Sequence, residues 1–178
     1  MKPWKTIRQT TTYEASPYLR VFRQEVELPN GQQIDDFYQV HLRPFVIVVP
    51  LLPNGKILTI HQYKHGLGRV SLTFPAGFVD EGEMPRDAAG RELLEETGYS
   101  VGSMIHLGEF VDNGNQRGSV GNYYLATDCI QTAQPNSGDL EEMEINLLGG
   151  EEIDRAVSAG EIGIIHHASA WMLARTRF

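Results

Sequence analysis

The sequence predicts an α/β protein, of the α+β type, with an N-terminal strand-rich region. Three observations support this fold class: strand-like segments before residue 42, a nearly continuous apolar run over residues 45–52, and a helix that begins at Pro85 and ends before Gly98. Pro85 suits the first helical position, and Gly98 suits the left-handed residue after a helix. The 178 residues, 41% of them hydrophobic, suffice for a substantial core.

The N-terminal region is predicted to form antiparallel strands. Residues 18–28 alternate loosely between apolar and polar side chains, Pro29-Asn30-Gly31 is a hairpin signal, and residues 33–41 return as a second strand. This pattern divides the chain into an N-terminal β region, residues 1–42, and a second domain, residues 43–178. From the residues alone, we expect an edge hairpin that packs on its own domain.

The central hairpin of the predicted sheet lies between residues 45 and 63. Its first strand is almost entirely apolar, as expected for a strand buried on both faces. A strand over residues 104–111, a polar loop over residues 112–121 and a strand over residues 122–127 follow the central helix. Residues 150–160 and 164–175 are predicted to form helices that cover the sheet.

The central helix gathers acidic side chains on one face. Each helical residue advances by roughly 100°, so Glu92, Glu95 and Glu96 fall within one arc of roughly 100°. Leu93 and Leu94 are predicted to point to the other side, toward a core. Carboxylates one turn apart repel each other, and more strongly as water is excluded.

These carboxylates indicate a site for a divalent cation. Arg91 lies one turn before Glu95 and neutralises only part of the cluster. Oxygen ligands without His or Cys favour Mg²⁺ or Mn²⁺ over Zn²⁺. The alternative that the residues leave open is an acidic helix that simply faces solvent.

Composition excludes several classes of function. A net charge of −8 argues against a protein that binds duplex nucleic acid, whereas a metal would supply the local positive charge for a small phosphorylated substrate. The single cysteine, Cys129, excludes an internal disulfide and fits a reducing compartment. With no apolar run of membrane-spanning length and no apolar signal core, we expect a cytoplasmic protein.

The spacing around the helix is that of a known motif. Five residues separate Gly77 from Glu83, and seven separate Glu83 from the run Arg91-Glu92-Leu93-Leu94-Glu95-Glu96-Thr97-Gly98. This pattern resembles the Nudix box, with Tyr99 at a packing position where the family usually has an aliphatic residue. The resemblance implies a Nudix hydrolase domain over residues 43–178, folded as an α/β/α sandwich with a mixed sheet, and a pyrophosphohydrolase activity.

Three further segments resemble the ADP-ribose and ADP-sugar pyrophosphatase branch of this family. They are the N-terminal strands, Gln62-Tyr63-Lys64 and Gly160-Glu161-Ile162. The branch implies cleavage of the pyrophosphate bond of a nucleoside diphosphate sugar, with ADP-ribose as the leading substrate. It also implies a homodimer formed through the N-terminal region, in which Trp4 and Tyr13 are candidate adenine-stacking side chains. Thr73 departs from the branch, where a Glu is common.

The resemblance assigns roles to the residues of the motif. It implies a Mg²⁺ cofactor, with Mn²⁺ as the alternative, held by Glu92, Glu96 and the carbonyl oxygen of Ala76. Glu95 would bind a second ion or hold the waters of the first, and Arg91 would orient the carboxylates. Glu83 would support a metal or tie the preceding loop to the helix.

The branch also implies a catalytic base and residues that contact the phosphates. Alignment backward from the C-terminal pattern places Glu141 as the general base, with Glu142 and Glu144 as alternatives. Lys64 and Arg117 are the candidate phosphate-binding residues. His166 and His167 are expected to have packing or capping roles rather than to serve the site.

Other functions stay open at this point. Within the family, the substrate could be GDP-mannose or a nucleoside triphosphate, the latter with a compact monomer that lacks a paired N-terminal arm. A catalytically silent nucleotide-binding module is the third alternative. The complete set Arg91, Glu92, Glu95 and Glu96 argues against it.

Overall fold

The structure is a computed structural model that describes residues 1–136, 138 and 142–178. These residues form two compact units. The first comprises Met1–Pro44 and Phe110–Val120, and the second comprises Phe45–Glu109 and Gly121–Phe178. In the part of the chain described, no helix is long and apolar enough to cross a membrane.

The first unit is built on an antiparallel sheet. Its strands are β1 (Lys5–Ala15), β2 (Leu19–Glu27) and β3 (Gln33–Leu42), paired in chain order. The turn between β2 and β3 contains Gly31 with φ 84°, a value that glycine adopts without steric cost. The antiparallel N-terminal β region predicted from the sequence is confirmed.

The second unit contains a mixed sheet. The strands that follow β3 are β4 (Phe45–Pro50), β5 (Ile57–Lys64), β6 (Arg69–Thr73), β7 (Ala76–Phe78), β8 (Tyr99–Ser100), β9 (Ser103–Asn113), β10 (Arg117–Thr127), β11 (Ile130–Gln131) and β12 (Met143–Leu148). Strand β4 pairs in parallel with Gly121–Ala126 of β10 and antiparallel with β7. A separate antiparallel sheet has the order β12-β5-β6, and β8 pairs with β11.

Three helices cover β4 on both faces, which makes the predicted sandwich. They are α1 (Pro85–Thr97), α2 (Gly150–Ser158) and α3 (Ile165–Arg175). Val46 and Val48 belong to the core that contains the buried residues of α1, whereas Ile47 and Val49 belong to the core around Trp171 of α3. A strand with both faces buried is nearly all apolar, as the sequence of β4 predicted.

The predicted loop over residues 112–121 is wrong. Strand β9 extends to Asn113 and β10 begins at Arg117, so only a short turn separates them. The Asn113 Oδ1 accepts the N–H groups of Asn115 and Gln116, both at 2.8 Å. Arg117 adopts φ 68°. Polar and glycine residues at this position close a tight hairpin because their side chains satisfy the backbone of the turn.

Candidate active site

Helix α1 has the ends that the sequence predicted. Pro85 is its first residue, and Gly98 closes it with φ 76° and an N–H group that donates to the Leu94 carbonyl at 2.8 Å. The distribution of side chains around the helix is different from the prediction. Leu93 is fully buried, but Leu94 is 38% exposed and Glu96 is only 4% exposed.

Two carboxylates of α1 meet the backbone of strand β7. The Ala76 N–H donates to Glu96 Oε2 at 3.0 Å. Glu92 lies against Gly77 so closely that a Cβ atom at that position would be 2.1 Å from the Glu92 Cδ and Oε1. Gly77 is therefore required for space, because its missing side chain leaves room for the Glu92 carboxylate.

Arg91 connects the loop before α1 with the carboxylates of the helix. Its Nε and Nη2 donate to the two oxygens of Glu83, both at 2.9 Å, and its Nη1 donates to Glu92 at 2.7 Å and to Glu95 at 3.1 Å. The Nη2 also donates to the Phe78 carbonyl at 3.0 Å. Such bidentate pairs fix geometry as well as charge.

The protonation equilibria follow from these contacts. The hydrogen bonds that Arg91 donates hold the pKa of Glu83 below its usual value. The pKa of Arg91 is raised, mainly by its hydrogen bonds to Glu83 and, to a smaller extent, by its hydrogen bond to Glu92. The Asp80 N–H also donates to Glu83 at 3.1 Å. Of the two roles predicted for Glu83, its contacts in the described part of the chain correspond to tying the loop to the helix.

The donor set at β7 fits a hard divalent cation. Glu92 and Glu96 supply carboxylate oxygens, the ligand type that Mg²⁺ and Mn²⁺ prefer. The Glu96 side chain is buried, a position in which a negative charge is costly unless a cation or strong donors compensate it. The described residues contain no group of three or more His, Cys, Asp or Glu side chains that could hold a metal ion. A site here therefore needs backbone oxygen or water in addition to the two carboxylates.

Lys64 lines a cavity of about 260 Å³ that borders the same strand. We name it the β7–α3 cavity, and its walls are formed by Phe45, Ile47, Lys64, Ala76, Gly77, Phe78, Ile164, His166 and His167. Ala76 and Gly77 thus belong both to the contact with the carboxylates and to this cavity. The role of Lys64 as a phosphate-binding residue stays a prediction.

The other predicted site residues are not among the residues that line the β7–α3 cavity, or they lie outside the described part of the chain. Glu141 lies outside the described residues. Glu142 and Glu144 line a different cavity of about 530 Å³, together with His61 and Tyr63. Arg117 is exposed at the start of β10, in the first unit.

His167 lines the β7–α3 cavity in addition to packing against the protein. The packing role expected for it is present, because its Nδ1 accepts the Phe74 N–H at 3.1 Å. His166 contacts the Tyr123 hydroxyl at 3.0 Å and stacks at a tilt on Phe45, with ring centroids 5.1 Å apart. Neither contact could be found from spacing, because the partners are distant in sequence.

Comparisons with known proteins agree with this architecture. Residues 41–161 match the family described as NUDIX domain, and residues 4–40 match the nucleoside diphosphate sugar hydrolase N-terminal domain. The crystal structure of an ADP compounds hydrolase superposes with a TM-score of 0.83 at 20% identity, covering 99% of this chain and 94% of that one.

Two curated relatives are similar over most of the chain. The ADP-ribose pyrophosphatase of Bacillus subtilis (strain 168) is 28% identical over 147 residues, which are 80% of this chain and 78% of that protein. The ADP-ribose pyrophosphatase of Mycobacterium tuberculosis (strain ATCC 25618 / H37Rv) is 30% identical over 142 residues, which are 79% of this chain and 68% of that protein. The chain belongs to the Nudix family, and the predicted sandwich fold and pyrophosphohydrolase class are confirmed.

Proposed function

We propose that this protein hydrolyses the pyrophosphate bond of a nucleoside diphosphate sugar, with ADP-ribose as the leading substrate. The observation that carries the proposal is the meeting of Glu92 and Glu96 with Ala76 and Gly77 of β7. The names of two relatives and the N-terminal match over residues 4–40 favour a sugar nucleotide as the substrate. The products would be a nucleoside monophosphate and a sugar phosphate.

Nudix hydrolases generally need a divalent metal ion, and we propose Mg²⁺, with Mn²⁺ as the alternative. Glu92 and Glu96 would hold it, with the Ala76 carbonyl oxygen and Glu95 as the further ligands that the family resemblance implies. Such an ion, when bound, neutralises phosphate charge and makes phosphorus more electrophilic.

The residues of the chain would bind and orient the reactants. Arg91 holds Glu92 and Glu95 in place through its fork of donors, and Lys64 supplies positive charge for a phosphate. In the reaction, the oxygen of a water molecule bonds to phosphorus and the bond to the bridging oxygen breaks. We propose that Glu141 takes the proton of this water, that Glu142 is its alternative, and that Arg117 is a further phosphate contact.

The N-terminal β region, residues 1–42, suits the role of an arm that forms the dimer and contacts the substrate. Strand β1 is exposed along almost its whole length, and it carries the exposed apolar side chains of Ile7 and Tyr13, 46% and 57% accessible. Trp4, 52% exposed, packs edge-on against Phe37. We propose a cytoplasmic homodimer that binds a small nucleotide and no nucleic acid. Analytical ultracentrifugation tests the dimer, and a compact monomer would instead favour the nucleoside triphosphate alternative.

A panel of substrates tests the proposed activity. Nucleoside diphosphate sugars and nucleoside triphosphates are incubated with Mg²⁺ or Mn²⁺, and an added phosphatase releases phosphate from any monoester product. We expect ADP-ribose to be cleaved well, and Glu96→Gln to lose most of that activity while keeping its fold. Preference for GDP-mannose or a triphosphate would select those alternatives. Failure of the whole panel would favour a silent binding module, and unchanged turnover of Glu96→Gln would contradict the metal assignment.

A further inference from the structure

The β7–α3 cavity carries an inference beyond the substrate class. Its volume of about 260 Å³ is smaller than the ~300–1,000 Å³ of sites that enclose a drug-sized ligand. It therefore suits one part of a nucleoside diphosphate sugar rather than the whole. Because Ala76 and Gly77 form part of its wall, a group held here would lie beside the strand that the Glu92 and Glu96 carboxylates contact.

His167 lines this cavity and carries a hydrogen-bond donor whose position on the ring is fixed. Its Nδ1 accepts the backbone N–H of Phe74, so that nitrogen carries no proton and the neutral ring must carry its proton on Nε2. His167 is only 6% exposed. The structure therefore fixes the tautomer through the backbone of a neighbouring strand, before any ligand is considered.

The Nε2–H group of His167 has no hydrogen-bond partner among the described residues. Within the same part of the chain, Gln62 Oε1 is the side-chain polar atom that is both fully buried and unpartnered. The His167 Nε2 is therefore not among the fully buried unpartnered atoms, and His167 is one of the residues that line the cavity. An N–H donor that has no protein partner, on a side chain that is otherwise buried, favours a ligand that accepts a hydrogen bond.

The polar side chains around His167 select an anion. Lys64 is one of the residues that line the cavity, and no Asp or Glu of the described chain lines it. Burial, then the nearby charges of Lys64 and His166, lower the pKa of His167 to about 3, so this side chain stays a neutral donor near neutral pH. A lysine and a fixed N–H donor match phosphate oxygens, which accept hydrogen bonds and carry negative charge.

We propose that the β7–α3 cavity binds a phosphoryl group, with the His167 Nε2–H and the Lys64 ammonium as its donors. This inference rests on the proposed function and deepens it, because the phosphoryl group would belong to the nucleoside diphosphate sugar or to a monoester product. His167 is then a substrate-binding residue, a role beyond the packing contact with Phe74. The two monoester products, a nucleotide and a sugar phosphate, share this chemistry, and the experiment distinguishes them.

The test is a titration of the full-length protein, labelled with ¹⁵N in histidine, with inorganic phosphate, AMP or ribose 5-phosphate in separate samples without divalent cation. NMR of the imidazole nitrogens reports the tautomer and the binding. We expect the free protein to show the Nε2–H tautomer of His167 and its resonance to shift with saturable binding. A stronger response to AMP or to ribose 5-phosphate identifies the half of the substrate that is held. An Nδ1–H tautomer, or no shift with any of the three, would overturn the proposal.

Paired variants separate the binding role of His167 from its packing role. His167→Asn keeps an oxygen near the Nδ1 position for the Phe74 N–H but removes the Nε2 donor, and should weaken phosphate binding by about 10- to 100-fold. It should raise KM more than it lowers kcat. His167→Gln places a donor near Nε2 and should retain more of the affinity. Met172→Ala, an exposed residue of α3, is the matched control.

The possible outcomes keep the two proposals apart. Unchanged phosphate affinity in a folded His167→Asn would overturn the role of His167, even if the wild-type protein cleaves ADP-ribose. Binding of phosphate at His167 by a protein that cleaves no member of the substrate panel would support the cavity assignment and remove the proposed function. If His167→Asn does not fold, the wild-type titration still decides, because it requires no substitution.

Discussion

Gly77→Ala gives the sharpest test of how strand β7 and helix α1 form the site. The added Cβ would lie 2.1 Å from the Cδ and Oε1 of Glu92 and 2.3 Å from its Oε2. Carbon contacts are normally about 3.5 Å or longer, so the carboxylate would have to move by roughly 1.4 Å. No left-handed φ is involved at Gly77, and the effect is therefore one of space alone.

A displacement of that size should cost most of the activity. Misplacing a catalytic group by about 1 Å lowers rates by about 100-fold, or about 2.7 kcal/mol of transition-state stabilisation. The assay is kcat/KM for ADP-ribose in saturating Mg²⁺, with urea unfolding to show that the variant is folded.

Gly90→Ala is the matched control, because Gly90 lies in helix α1 with nothing within 4 Å of an added Cβ. It should gain about 0.5–1 kcal/mol of stability with activity retained. Wild-type kcat/KM in Gly77→Ala would refute the reasoning.

Two further perturbations test the contacts around the site. Arg91→Ala should lower kcat for ADP-ribose, and it should lower the free energy of unfolding by about 2 kcal/mol, because it removes the partner that Glu83 and Glu92 share. Arg91→Lys keeps the charge but not the fork of donors, so its kcat and its free energy of unfolding should lie between those of the wild type and Arg91→Ala. Equal kcat in all three proteins would contradict this role of Arg91. His167 has a lowered pKa, about 3 against 6.5 when unfolded, so the unfolded state binds more protons as the pH falls from 6.5 toward 3, and stability is lost across that window. Urea unfolding from about pH 6 to pH 4 should show the wild-type protein losing about 1.4 kcal/mol per pH unit more than His167→Asn, and parallel pH profiles would contradict the lowered pKa.

The sequence predicted the parts of the fold whose causes are local. Strand β4 could be recognised because burial on both faces requires an unbroken apolar run. Helix α1 could be placed because Pro85 and Gly98 have distinct backbone preferences at helix ends. The motif that connects Gly77, Glu83 and the α1 carboxylates identified the family before any contact was known.

The features that the sequence missed depend on contacts between distant residues. Periodicity around α1 could not show that Glu96 is buried and Leu94 is exposed, because the Ala76 N–H that donates to Glu96 lies on another element. The turn between β9 and β10 looked like a loop, since its polar residues give no strand pattern. The donor role of His167 depends on its contact with Phe74, which is set by tertiary packing.

Binding of Mn²⁺ tests the central claim, that Glu92 and Glu96 hold the cation on which hydrolysis depends. Electron paramagnetic resonance of the free ion gives the Kd for the wild-type protein, for Glu96→Gln and for Glu151→Gln, an exposed acid of α2 that serves as the control. We predict that Glu96→Gln binds Mn²⁺ at least about tenfold more weakly, and that Glu151→Gln binds it as the wild type does. Equal affinity in all three proteins would contradict the claim.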